Sequence, residues 1–206
     1  MMDESPPMAG VATAGVARVP GSFELLMHPS SWCPPGWSVR VATRWAAHGL
    51  VAEYTLAVPA GRLALPPKSS APAARDFLWK RTCAEMFVGV RGEPGYLEFN
   101  FSPSGDWAAY AFDAYREGFR PHAWPGPTPE VRAVPGEGAT RLVATVPHQA
   151  FRALLRDGRM PPLEAAFTLV LEADQGELSY WSLAHPRTQP EFHDRGGFVA
   201  EFTVAE

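Results

Sequence analysis

Glu85, Glu98 and Asn100 are the residues whose types and spacing point most directly to chemistry. In Tyr96-Leu-Glu-Phe-Asn-Phe-Ser102 strict alternation puts Leu97, Phe99 and Phe101 on one face of a strand, and Tyr96, Glu98, Asn100 and Ser102 on the other. Glu and Asn two apart inside a strand are unusual, because both are disfavoured there. Alternation alone leaves two readings open. The face is simply wet, or it lines a cleft in which carboxylate and amide groups meet the hydroxyls of a ligand. The preceding stretch repeats the pattern: Trp79, Arg81, Cys83, Glu85 and Phe87 share one parity. An inward-facing Glu85 needs a partner such as Arg81 or Arg116, and a structural ion pair competes with a ligand contact as its role. Glu85 and Glu98 on neighbouring strands also have the formal makings of an acid and base pair, as in glycoside hydrolysis.

Later in the chain, Ser179-Tyr-Trp-Ser-Leu-Ala-His-Pro186 places Trp181 and His185 at the same parity. A Trp can stack on the apolar face of a pyranose while polar neighbours take its hydroxyls. A lone His beside Pro reads more simply as a hydrogen-bonded loop residue. On the strand after the Glu98 segment, Trp107 and Tyr115 fall on one side, with Tyr110 and Phe112 on the other. Trp107 and Tyr115 are the further candidate contacts. His185, His193 and Asp194 form a loose cluster of metal-ligand types, but no dense ligand motif marks a metal site. The chain has no G-x-S-x-G, Walker, H-E-x-x-H or paired-Cys motif.

The elements that must position these residues are short strands. Among 206 residues, 22 prolines and 18 glycines leave little room for long helices. About ten strands are predicted: 23–28, 37–46, 50–58, 81–90, 96–102, 107–115, 140–146, 165–172, 177–183 and 198–204. Turn signals separate most of them, at His48-Gly49, Gly92–Gly95, Pro103–Asp106 and Asp174–Gly176. One short helix is predicted to start at Pro147 and end near Asp157-Gly158. This is the pattern of an all-β, jelly-roll-like β-sandwich of antiparallel strands. The Pro-rich stretches 64–72 and 121–135 read as long surface loops. Residues 1–20 read as a disordered leader and 21–206 as one domain.

Composition narrows the partners. A net charge of −4 with 18 scattered basic residues excludes a nucleic-acid interface and any attraction to an anionic membrane. No apolar run is long enough to span a bilayer, and the N-terminus lacks a basic start and an apolar core, so the expected location is the cytoplasm. Cys33 and Cys83 are too few for a disulfide framework. A small molecule or a saccharide is the partner expected.

The segments W-x-x-T-C-x-E-x-F (Trp79 to Phe87) and Y-L-E-F-N-F-S-P-S-G-x-W (Tyr96 to Trp107) resemble the bacterial DOMON-like domains, relatives of family 9 carbohydrate-binding modules. Trp79, Glu85, Phe87, Tyr96, Glu98, Phe99 and Gly105 keep that pattern, while Thr82 stands where Asp is common. The Tyr180-Trp-Ser-Leu-Ala-His-Pro186 segment is similar to the closing motif of the same group. The resemblance spans roughly residues 20–204, though its specific motifs occupy about a third of that. It implies a non-catalytic sandwich that holds a sugar or a haem. For a sugar, Trp79 and Trp181 would be the clamp, with Glu85, Glu98, Asn100 and Arg116 on the hydroxyls. For a non-covalent haem b, Met86 and His185 would be the axial pair, although Met86 has the opposite parity to Glu85.

Overall fold

The computed structural model describes residues 17–59 and 61–202. Its strands are β1 (Ala17–Val19), β2 (Gly21–Met27), β3 (Ser38–Ala46), β4 (Gly49–Ala57), β5 (Cys83–Val90), β6 (Tyr96–Phe101) and β7 (Trp107–Phe112). They continue as β8 (Arg120–Pro121), β9 (Glu130–Pro135), β10 (Thr140–Pro147), β11 (Leu163–Glu172), β12 (Leu178–Ser182) and β13 (Ala200–Phe202). Two packed sheets result. The back sheet runs β9-β10-β4-β3-β2, and the front sheet runs β8-β7-β6-β5-β11-β12. They join along a short seam where β12 meets β2, through Trp181↔Met27 and Ser182↔Leu26. β13 takes the other half of the β11 edge and carries β1 in parallel beside it. The fold is the expected all-β sandwich.

The two sheets differ in what covers them, and the sequence shows why. In β3, Val39, Val41 and Thr43 are buried while Ser38, Arg40, Ala42 and Arg44 are exposed, as in a sheet with one wet face. In β5 all eight residues are buried, and in β6 all six. Ala84, Met86, Val88, Leu97, Phe99, Phe101, Phe167 and Leu169 point to the back sheet, meeting Val39, Val41, Leu50, Tyr54, Leu56 and Leu142. The opposite face carries a second cluster of Phe87, Tyr96, Tyr110, Phe112, Ala166 and Phe198. Loops therefore roof the front sheet, and its polar residues are held indoors.

Three expectations are corrected at this level. Pairing begins at Ala17, inside the stretch read as a leader, and residues 1–16 lie outside the described residues. The span 121–135 is not all loop: Glu130–Pro135 forms the outer strand of the back sheet, with Val131 and Ala133 packed on the core. An edge strand tolerates the terminal proline because no inward neighbour needs its N–H. The predicted helix is present as a 3-10 helix over His148–Leu154, which buries Ala150, Phe151 and Leu154.

Candidate ligand-binding site

Antiparallel register sets the site. Residues directly opposite share a face, so Thr168, Glu85, Asn100 and Ala108 form one row across β11, β5, β6 and β7. The adjacent row is Ala166, Phe87, Glu98 and Tyr110, and the next is Gly89, Tyr96 and Phe112. Three loop segments close over these rows. Phe77 and Trp79 come from a 3-10 turn at Leu78–Lys80, Arg116 and Phe119 from the loop after β7, and Pro190, Phe192 and His193 from the segment before β13.

Between sheet and roof lies a pocket of about 430 Å³, within the usual size of small-molecule sites. Its floor is Glu85, Glu98 and Val170, and its walls are Phe77, Trp79, Tyr110, Phe112, Phe119, Tyr180 and Phe192. Trp79 stands edge-on to both Phe77 and Tyr110. The Tyr110 hydroxyl donates to Asp76 at 2.6 Å, which fixes that ring. Phe77 and Arg116 both adopt left-handed backbone, φ 64° and 55°. Such angles cost a non-glycine residue about 1 kcal/mol or more, and strain of this kind gathers at binding sites.

The polar floor is short of partners. Glu85 is 3% exposed, and the one hydrogen bond its carboxyl receives among the described residues comes from Thr168 at 3.5 Å. Glu98, 5% exposed, accepts from the Asn100 amide at 2.6 Å, while its other oxygen lies 3.8 Å from His193 Nε2, beyond hydrogen-bond range. Burial, and then the neighbouring Glu98, push the Glu85 carboxyl well above the ordinary carboxylate range. Burial likewise lifts Glu98 to about 7, against the pull of Asn100 and Arg116.

A second network anchors the roof. The Nε and Nη2 groups of Arg116 donate to Glu191 at 3.1 and 3.0 Å, and Glu191 also accepts from the Tyr115 hydroxyl and the His193 N–H. The buried Tyr96 hydroxyl accepts from the Arg116 N–H at 3.2 Å and lies 2.8 Å from His193 Nδ1. Among the described residues that hydroxyl has no other acceptor in reach, so the network assigns its proton to Nδ1 and leaves neutral His193 protonated on Nε2. Burial, then the Arg116 charge, hold His193 down to about 4, in keeping with a neutral ring. Tyr96→Phe should remove this fixing donor. We expect ¹⁵N NMR to show the His193 Nδ1 resonance moving as its hydrogen bond is lost, and unfolding free energy to drop by about 1–2 kcal/mol. An unmoved Nδ1 resonance would refute the relay.

Of the nine residues singled out from sequence, the pocket brings together Trp79, Glu85, Glu98 and Arg116. Asn100 sits sealed beneath it and orients Glu98. Tyr115 braces Glu191 from outside. Trp107 faces a separate depression of about 390 Å³ beside Trp124 and His122. Trp181 points the other way, into the core between the sheets, and Tyr180 is the β12 residue that lines the pocket. His185 contacts the Leu26 carbonyl at 2.8 Å, and Met86 lies in the inter-sheet core, so the pair weighed for a haem shares no cavity here. Among the described residues no group of three or more His, Cys, Asp or Glu is arranged to hold a metal, His185, His193 and Asp194 included. Also among them, no helix is long and apolar enough to cross a membrane.

Tyr110, Phe112, Tyr180, Phe192 and His193 are among the lining residues that the sequence does not mark as ligand contacts. The parity of Tyr110 was recoverable: the turn Pro103–Asp106 pairs Phe101 with Trp107, which sets Glu98 opposite Tyr110. No local signal places His193, because its segment returns to the sheet from far along the chain.

Comparison with solved structures finds this fold in a candidate carbohydrate-binding protein from Bacteroides uniformis, at 16% identity over 89% of this chain and 86% of that one, with a TM-score of 0.58. A family 9 carbohydrate-binding module from Caldicellulosiruptor kristjanssonii aligns in its complexes with glucose and with cellotriose, at 11% and 12% identity and a TM-score of 0.46 in each. Those two alignments cover 89% and 87% of this chain, and 85% and 80% of theirs. No family model and no curated protein matches the sequence. The Bacteroides alignment shows a shared β-sandwich.

Proposed function

We propose that this chain is a non-catalytic saccharide-binding domain of the DOMON-like type, with its site in the roofed pocket on the front sheet. One observation carries the reading: seven aromatic rings wall a pocket whose floor is two carboxyl groups with open oxygens. Flat rings bury the C–H faces of a pyranose, and carboxyl groups accept from and donate to its hydroxyls. The sandwich shared with the Bacteroides protein, itself described as carbohydrate-binding, supports the same class at the level of fold. Trp79, Glu85, Glu98 and Arg116 are the proposed contacts, with Asn100 and Glu191 as positioning residues.

The test is a thermal-shift and calorimetric panel of mono- and disaccharides, both neutral and amino-substituted. A ligand at a hundred times its Kd adds about 2.7 kcal/mol of stability, a shift of several degrees. We expect at least one saccharide to give a saturable shift and to change the fluorescence of wild type but not of Trp79→Phe at the same occupancy. A panel in which no sugar shifts the melting curve would overturn the reading.

A further inference from the structure

The pocket has a charge inventory that separates one kind of sugar from another. Five elements present titratable or charged groups to Glu98: Cys83 and Glu85 on β5, Tyr96 on its own strand, Tyr110 on β7 backed by Asp76, Arg116 on the loop after β7, and Glu191 and His193 on the closing segment. The positive charge among them is Arg116, and Glu191 already pairs with it through Nε and Nη2. His193 is neutral with Nδ1 occupied by the Tyr96 hydroxyl. What remains is Glu85 and Glu98, diagonal neighbours on adjacent strands, each with an oxygen open to the pocket.

An acid pair in such a place has two stable fillings. Without a ligand it holds protons, since two bare carboxylates taken out of water cost many kcal/mol. With a ligand, a cation can replace the proton, and the aromatic walls add to its attraction. The ring faces of Trp79, Tyr110 and Phe112 carry negative potential and favour an ammonium within about 6 Å. The inventory disfavours an anion, because the Arg116 charge is already paired with Glu191 and two further carboxyl groups form the floor.

We propose that the pocket is built for a primary ammonium group, carried on a pyranose: its saccharide is an amino sugar with a free amine, whose nitrogen sits between Glu85 and Glu98. This rests on the saccharide reading above and sharpens it. Binding at pH 6 is then an exchange. The ammonium keeps its three protons, the Glu98 carboxyl loses one to solvent, and the pocket ends with an ion pair where it began with an acid. An acetylated amine cannot take part, because the amide carries no charge. A phosphorylated sugar brings a second charge of the wrong sign.

Isothermal titration on the full chain separates the possibilities, with glucosamine and its β-1,4-linked dimer against glucose, cellobiose, N-acetylglucosamine, glucosamine 6-phosphate and spermidine. The expected result is an amino sugar bound about tenfold or more tighter than its neutral and acetylated counterparts, the worth of hydrogen bonds to a charged group. At pH 6 we also expect its heat to depend on the buffer's ionisation enthalpy, which reports the released proton. Glu98→Gln should collapse the ratio between glucosamine and glucose. The proton release, read on wild type, stands even if that variant does not fold. Equal or tighter binding of glucose or cellobiose, without proton release, would overturn the amine assignment and leave the saccharide reading intact. Spermidine binding with no sugar bound would uphold the ammonium site but overturn the sugar, and silence from every probe would overturn both.

Discussion

Glu98→Gln should make the protein more stable relative to wild type at high pH than at low, by about 3 kcal/mol between pH 4.5 and 8. Burial lifts the carboxyl from 4.5 to about 7 in the folded chain. Below pH 4.5 both folded and unfolded chains hold the proton, and the group exerts no preference. Between 4.5 and 7 the folded chain keeps a proton the unfolded chain has released, so stability falls as pH rises, and above 7 the whole contribution is gone. Glutamine has no such loss, and its carbonyl still accepts from Asn100.

Wild type partly hides this slope. His193 is held down to about 4, so below its ordinary 6.5 the unfolded chain takes up a proton that the folded chain refuses. Stability from His193 is therefore lost as pH falls from 6.5 toward 4, opposite in sign to the Glu98 effect and of similar size. The pair compensate across most of that window. Glu85, also lifted well above the ordinary carboxylate range, tilts both proteins the same way as Glu98, so the difference between variant and wild type, rather than either slope alone, reports Glu98. Urea denaturation of both proteins at pH 4.5, 6 and 8 measures the difference. Parallel stability curves would mean that Glu98 is not a buried acid.

Legibility of the fold from sequence follows from how many faces a strand buries. β3 and the β6 segment have clear alternation, and both were readable as strands. β9 was hidden because prolines at both ends of 121–135 outweigh its short Val131/Ala133 alternation, which only matters at a sheet edge. The site was readable where a polar residue interrupts an apolar strand, as at Glu85 and Glu98. It was not readable where both parities are aromatic or apolar. Tyr180 and Trp181 are adjacent and each suits a core or a sugar. The pairing of Val170 with Tyr180 and of Leu169 with Trp181 decides the matter, and that pairing is a tertiary fact. The front sheet is buried on both faces, so inside and outside carry no hydrophobic label there.

That ambiguity makes the two tryptophans the most informative pair to mutate. Trp181 is 4% exposed, packs in the inter-sheet core and donates through Nε1 to the Ser179 hydroxyl at 2.9 Å. It also stands at the seam where β12 meets β2, which is held by the pairs Trp181↔Met27 and Ser182↔Leu26 and by the His28 N–H on the Tyr180 carbonyl. Trp181→Ala should open a cavity that the surrounding layers cannot refill, at a cost of about 3–5 kcal/mol. That is a large share of the 5–15 kcal/mol typical of a domain. Trp79 is half-buried on a 3-10 turn, against the rim of the second cluster and outside the inter-sheet core, and Trp79→Ala should cost much less stability than Trp181→Ala, about 1 kcal/mol by urea midpoint. Its loss falls on the pocket wall instead, where saccharide binding should weaken by tenfold or more. The two variants thus separate the scaffold from the site, with urea midpoints for one and titration for the other. A Trp181 variant with wild-type stability but no binding would reverse the orientation argued for β12, and with it the roles of Tyr180 and Trp181.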